Sequence, residues 1–212
     1  MDREFHLTHR WWQFSARYNV RVSQSVPGVL LHQGDSEGVM LRWGWPPRKE
    51  GGVCIPGTAW LKHDELGSSK ERREVWLSGQ RCIVPLAGFY VWQLSSSGIR
   101  QPFYVRLVNR PVFGVAGLWQ RTLIDEDEDD VIESCALLTV PSNLLLTEID
   151  SSGTQMLAIL GREDYGAWLS GTTAEAQALL QSYPHERMLA HPVPPYVNYP
   201  EYDGPPLIHA IR

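Results

Sequence analysis

The stretch Arg81-Cys82-Ile83-Val84-Pro85-Leu86-Ala87-Gly88-Phe89-Tyr90-Val91-Trp92 decides the fold. It reads as a buried strand, a turn and a second strand that ends in a tryptophan. A second run in the same style, Val112-Phe113-Gly114-Val115-Ala116-Gly117-Leu118-Trp119, follows a short way on. Apolar runs this short, rich in Val, Ile and aromatics and broken by Gly and Pro, mark central strands of a mixed sheet.

Outward from this centre, residues 29–32 and 39–43 read as a hairpin around Gly34-Asp35. Trp43-Gly44-Trp45-Pro46-Pro47 reads as a rigid aromatic loop, because proline fixes the backbone there and blocks helix. Ser68 or Ser69 is placed to cap a helix through Leu77, with Gly79 as its stop. Strands are expected over 81–86, 88–93, 103–108, 112–118 and 133–140, and helices over 162–169 and 172–183. A Pro-rich tail from His191 is expected to wrap the surface. The sum is a single α+β domain over 1–212, with a mostly antiparallel sheet or barrel-like β core and flanking helices.

Composition bounds the class. With 212 residues, 43% hydrophobic and 20% charged, the chain is long enough for a sizeable core. It has no apolar run long enough for a membrane-crossing helix and no basic-then-apolar leader, so a cytoplasmic location is expected. Cys54, Cys82 and Cys135 are scattered, with no C-x-x-C pair. That spacing argues against zinc and against a disulfide framework, and no metal or cofactor is expected. Cys82 and Cys135 sit in apolar strand patterns and read as core thiols. Nine tryptophans imply either a large aromatic core or stacking surfaces.

The net charge of −5 is unevenly placed. Residues 1–124 hold 16 Lys and Arg against 9 Asp and Glu, whereas residues 125–212 hold 3 against 15. Six of those acids are the run Asp125 to Asp130, which repels itself and is expected to be a solvated loop. A basic face on the first part is therefore compatible with phosphates.

The motifs resemble those of the SRAP family, the SOS-response-associated peptidases that crosslink to abasic DNA. That family carries R-C, two hydrophobics, P-x-x-G, two aromatics, E-W, then Q-P-F/Y and an A-G-L-W strand. Here these are Arg81 to Trp92, Gln101-Pro102-Phe103 and Ala116 to Trp119. Arg17-Tyr18-Asn19-Val20, the Trp43 to Pro47 loop, Thr139, Asn143, Trp168-Leu169 and His191-Pro192-Val193 extend the resemblance across nearly the whole chain. It implies the family fold and a role with abasic single-stranded DNA in the DNA damage response.

The family's chemistry is another matter. Members begin Met-Cys-Gly-Arg-Phe, and the α-amine and thiol of that Cys close a thiazolidine ring on the sugar aldehyde. Here the Cys position is Asp2, in Met1-Asp2-Arg3-Glu4-Phe5, and a carboxylate cannot close that ring. The family's strand Glu is Val91. Its N-A-R-x-E segment aligns with Pro56-Gly57-Thr58-Ala59-Trp60, and its His falls at or near Asp150, with the following Arg at Gln155. The resemblance thus places Asp2 and Asp150 at substituted catalytic positions. It places Arg3, Arg17, Asn19, Trp43, Trp45, Thr58, Trp60, Thr139 and Gln155 where DNA would lie.

Three readings follow. The Met1 α-amine, with Asp2 and Asp150 as acid–base groups, retains Schiff-base chemistry. Or the chain binds abasic single-stranded DNA without chemistry, stacking bases on Trp43, Trp45 and Trp60 and holding phosphates with arginines such as Arg10, Arg21, Arg42 and Arg48. Or it is a pseudoenzyme repurposed as a protein-interaction scaffold. The second is expected, with the crosslinking and autopeptidase chemistry lost.

Overall fold

The computed structural model describes residues 4–50, 53–55, 57–123 and 131–211. Met1, Asp2, Arg3, Pro56 and the acidic run lie outside the described residues. In chain order the elements are β1 (His9–Arg10), β2 (Ser25–His32), β3 (Asp35–Trp43), β4 (Arg48–Glu50), β5 (Val53–Ile55) and β6 (Trp60–Lys62). Helix α1 (Lys70–Leu77) leads into β7 (Arg81–Leu86), β8 (Phe89–Leu94), β9 (Arg100–Leu107), β10 (Phe113–Leu123) and β11 (Val131–Pro141). Then come α2 (Leu144–Ile149), β12 (Gln155–Leu157), α3 (Tyr165–Ser170), α4 (Thr173–Ala178) and β13 (Met188–Pro192).

Five strands close a barrel. β2 and β3 form the expected hairpin, with Val26 opposite Leu41. β2 meets β7 at Val29 and Ile83, β7 pairs with β10, and β10 pairs with β11. β11 then returns to β3 in parallel, Ser134 beside Arg42 and Cys135 beside Trp43, so the sheet has no edge there. β1, β6 and β12 extend it from outside. β4 and β5 pair as a short antiparallel ribbon.

β7 is buried along Arg81 to Pro85, on both faces. One face fills the barrel; the other lies under α3, where Trp168 Nε1 donates to the Cys82 carbonyl at 2.9 Å. This explains why the run is apolar at consecutive positions rather than alternating. Arg81, the polar member, is buried with its guanidinium 5.9 Å from the ring centres of both Trp76 and Trp168. It donates to the carbonyls of Gly171 and Thr172, so the positive charge sits at the C-terminal end of α3. Cys82 and Cys135 are fully buried.

The two halves of the opening stretch part company. β7 belongs to the barrel, whereas β8 joins a second antiparallel sheet in the order β13-β9-β8. The crossing is made at Ala87-Gly88. A Cβ on Gly88 would sit 2.5 Å from the Val105 carbonyl oxygen and against the Tyr104 ring, so only glycine fits.

Two helices differ from expectation. The 162–169 helix starts as a 3₁₀ turn over Arg162–Asp164 before α3. The 172–183 helix begins as expected, with Thr172 and Glu175 forming a capping box, but stops at Ala178. The chain peels away there to bury Leu180 and Tyr183, and that packing outweighs helix propensity.

Candidate functional site

The predicted site residues fall into two groups. The first gathers on β3, β6, β11 and β12. Trp43 and Trp60 pack edge to face, 4.9 Å between ring centres at 87°. Trp43 Nε1 donates to the Ala59 carbonyl at 3.3 Å, which fixes its ring. Trp60 leaves 46% of its surface exposed. Thr58 bridges to Trp45 through the backbone, and its hydroxyl donates to the Trp60 carbonyl at 2.8 Å. β6 runs parallel to β11, placing Lys62 beside Thr139. Thr139 is buried, and Gln155 pairs with Pro141 from β12 with its Oε1 buried and unpartnered. Trp45 is 4% exposed and packs in the core, so its ring faces are not offered to a ligand.

The second group surrounds β8 and the tail. Asn19 is buried, and its Nδ2 donates to the carbonyls of Val197, Tyr199 and Tyr202 at 3.2, 3.1 and 3.0 Å. Its role in the fold is to hold the tail. Asp203, which the sequence reading did not single out, completes the latch. It accepts from the Tyr18 and Asn19 backbone N–H groups at 2.6 and 3.1 Å, and pairs with Arg17. Tyr90 on β8 donates to the Tyr18 carbonyl at 2.7 Å, and burial pushes its hydroxyl pKa well up, so it stays a donor. Two further arginines have taken neutral acceptors: Arg21 the Val197 carbonyl, and Arg42 on β3 the Gly44 carbonyl and Ser23 Oγ.

Partial burial pushes the Asp203 carboxyl up, but the N–H donors and Arg17 outweigh it, leaving the pKa below its usual value. A depressed folded-state pKa stabilises the fold above the unfolded value and is lost as pH falls through the folded one. The tail latch is therefore expected to hold at neutral pH and to release only below about pH 4, the ordinary carboxylate range. Asp203→Asn should abolish that step, which tail proteolysis across an acid titration would reveal.

Of the positions that the resemblance sets against the family's catalytic residues, Val91 lies on β8 opposite Phe103 and packs against the core. It offers neither proton nor charge. Asp150 caps the C-terminal end of α2, the helix that packs on β8. Its Oδ1 accepts from Ser152 Oγ at 2.6 Å and Ser152 N at 3.1 Å. These bonds hold its carboxyl below the usual range, so at neutral pH it is an anion and no proton donor. Asn143, matched to a family Asn, N-caps α2 by accepting from Leu146 N at 3.2 Å. The N-terminal segment is anchored nearby in sequence: Glu4 pairs with Arg110 and Arg162, and Phe5 stacks on Tyr165 at 5.1 Å. Among the described residues no three His, Cys, Asp or Glu side chains gather as a metal site. No helix among them is long and apolar enough to cross a membrane.

A closed five-stranded barrel carrying a second three-stranded sheet, with tryptophans outside and a tail latched by Asn19, defines the class. A family profile described as SOS response associated peptidase (SRAP) matches residues 1–200, and the chain belongs to that family. It is 26% identical to the abasic site processing protein YoqW of Bacillus subtilis, over 93% of this chain and 88% of the relative. It is 25% identical to the mouse abasic site processing protein HMCES, over 88% of this chain and 62% of that one. A crystal structure of a Bacteroides thetaiotaomicron protein superposes with a TM-score of 0.78 at 24% identity, covering 90% of this chain and 82% of that one. A Bordetella bronchiseptica protein superposes at 0.76 and 22%, covering 91% and 94%.

Proposed function

We propose that this chain binds single-stranded DNA at abasic sites without forming the family's cysteine crosslink. The observation that carries the binding is the Trp43–Trp60 pair. An indole half exposed and held edge-on by a second, anchored indole is a preformed stacking surface. Relatives named as abasic site processing proteins supply the substrate class. Loss of the crosslink rests on three replacements and on the burial of two thiols. Asp2 stands where the family has Cys, Val91 where it has Glu, Asp150 at or near its His, and the thiols of Cys82 and Cys135 are buried. A carboxylate held by Ser152 cannot hand a proton to a sugar oxygen at neutral pH. The protein then shields or marks the lesion in the cytoplasm rather than reacting with it.

Titration of a labelled strand, with and without one abasic site and at two salt concentrations, tests this. Salt-dependent affinity with preference for the abasic strand is expected. Absence of binding at low salt overturns it. Trp60→Ala should weaken the abasic strand by about 5- to 100-fold, the worth of one stacked base. Because Trp60 is half exposed and its packing is limited to the outer face of the barrel beside Trp43, the variant should melt only a few degrees below the parent.

A further inference from the structure

We infer that Lys62 holds the backbone phosphate of the nucleotide whose base lies on Trp60, and that this phosphate takes the place the Glu65 carboxylate holds in the free protein. The inference rests on the single-stranded DNA reading and adds to it a residue that none of the matched motifs includes.

β6 has one buried face and one open face. Leu61 is 1% exposed, whereas Trp60 and Lys62 on either side of it are exposed. Side chains alternate along a strand, so Trp60 and Lys62 share the open face, about 6–7 Å apart. The parallel register with β11 sets Leu137 beside Trp60 and Thr139 beside Lys62 on that face. Trp43 supports Trp60 through its edge-to-face contact. A ring for the base and an ammonium for the backbone, side by side on one rigid strand, are the two elements of a single-strand grip.

The ammonium already holds an anion. Lys62 Nζ lies 3.1 Å from Glu65 Oε1, with the two side chains 50% and 42% exposed. The other carboxylate oxygen, Oε2, accepts from Arg72 Nη1 at 3.3 Å, and that nitrogen also donates to Ser68 Oγ at 3.0 Å. One carboxylate thus draws two cations together beside the open face, and the three groups keep one positive charge in excess. Phosphate offers the same cations charged oxygens to bind. Half-exposed ion pairs contribute little and are screened by salt, so exchange of one anion for another costs little. An ammonium is a point charge with rotatable donors, so Lys62 can turn without a strict geometric demand.

Other cations are engaged differently. Arg17 is tied to Asp203, Arg21 and Arg42 to carbonyls, and Arg81 is buried against α3. Lys70 makes a pair of the same kind with Glu74 at 3.9 Å, but on α1 rather than on the Trp60 strand. Asp64, exposed in the turn after β6, keeps the local field weak. The contribution of Lys62 is therefore read in the salt slope.

The test uses the whole chain and a labelled strand of about 15 nucleotides with one central tetrahydrofuran abasic analogue, titrated over a series of salt concentrations. Lys62→Met should weaken the strand and flatten the salt slope by about 0.7, the share of one phosphate on a single strand. Lys62→Arg should restore the slope. Glu65→Gln should tighten the strand by about 3- to 5-fold, because it removes a like charge from beside the incoming phosphate. Lys70→Met and Glu74→Gln should bind like the parent. If Lys62→Met keeps the parent's slope, or Lys70→Met lowers it equally, while Trp60→Ala weakens binding, the inference is overturned and the DNA reading stands. Weaker binding by Glu65→Gln would show that the carboxylate supports the site instead of occupying it, and would equally overturn the inference. If the parent does not bind the strand at low salt, the DNA reading fails and the inference falls with it.

Discussion

Trp168→Ala should lower stability by about 4 kcal/mol or more, the largest effect of any single truncation in this chain. Trp168 is fully buried between β7 and α1. Truncating a buried tryptophan to alanine costs about 3–5 kcal/mol through lost burial and the cavity left behind. Two further losses add here. The Cys82 carbonyl, inside the sheet, loses its indole donor, and a buried unsatisfied acceptor costs about 1–3 kcal/mol. The Arg81 guanidinium loses one of its two aromatic faces while remaining buried. For a chain of this size each kcal/mol moves the melting temperature by about 2–4 °C. A drop of roughly 8–16 °C is therefore expected in a thermal melt. Trp168→Phe keeps most of the volume but not the N–H, and should cost about 1–3 kcal/mol. Trp11→Ala, at a ring that is mostly in solvent, should stay within about 0.5 kcal/mol of the parent. Equal losses for Trp168→Ala and Trp11→Ala would contradict the packing described for α3.

Gly88→Ala should destabilise nearly as much for the opposite reason. The site has no room for a methyl group. The Tyr104 ring is nearest, and behind it at 2.5 Å stands an obstacle that cannot swing away, the main-chain carbonyl of Val105 on the central strand of the second sheet. β9 is bonded to β8 on one side and β13 on the other, so it cannot move aside without breaking two ladders. Overpacking a flexible neighbour costs about 1–3 kcal/mol, and a backbone obstacle belongs at or above the top of that range. A melting decrease of roughly 6–12 °C follows. Gly34→Ala is the contrast. Its Cβ meets nothing, and its cost comes only from the positive φ of the β2–β3 turn. Denaturant melts of the pair separate the two causes, and an unperturbed Gly88→Ala protein would sink the account of the crossing between sheets.

Local signals in the sequence carried much of this fold. Gly34-Asp35 marked the β2–β3 turn. Ser69 caps α1 as read, and Gly79 has the positive φ that a helix stop uses. What local signals do not show is partnership. Arg81 to Trp92 reads as two neighbouring strands, and nothing local says that they join different sheets. That follows from Gly88 passing under Tyr104, a contact between β8 and β9 that no pattern around residue 88 shows. Barrel closure through β3 and β11 is invisible for the same reason.

The site was legible in type more than in placement. Trp43 and Trp60 were singled out as stacking residues, and the structure pairs them. Trp45 and Asn19 carry the same sequence signal, yet one is core and the other spends its amide on three tail carbonyls. Burial separates them, and burial is a tertiary property. Asp203 lacked a signal because its meaning comes from Asn19, nearly the whole chain away.

The central claim is that the lesion is bound but not captured through a thiol. Incubating the protein with an abasic strand, then heating in denaturant and running a denaturing gel, tests it most directly. The account predicts a complex under native conditions and free strand after denaturation, with any borohydride-trapped adduct lost when the α-amine is blocked. A heat-stable adduct formed without borohydride would contradict it.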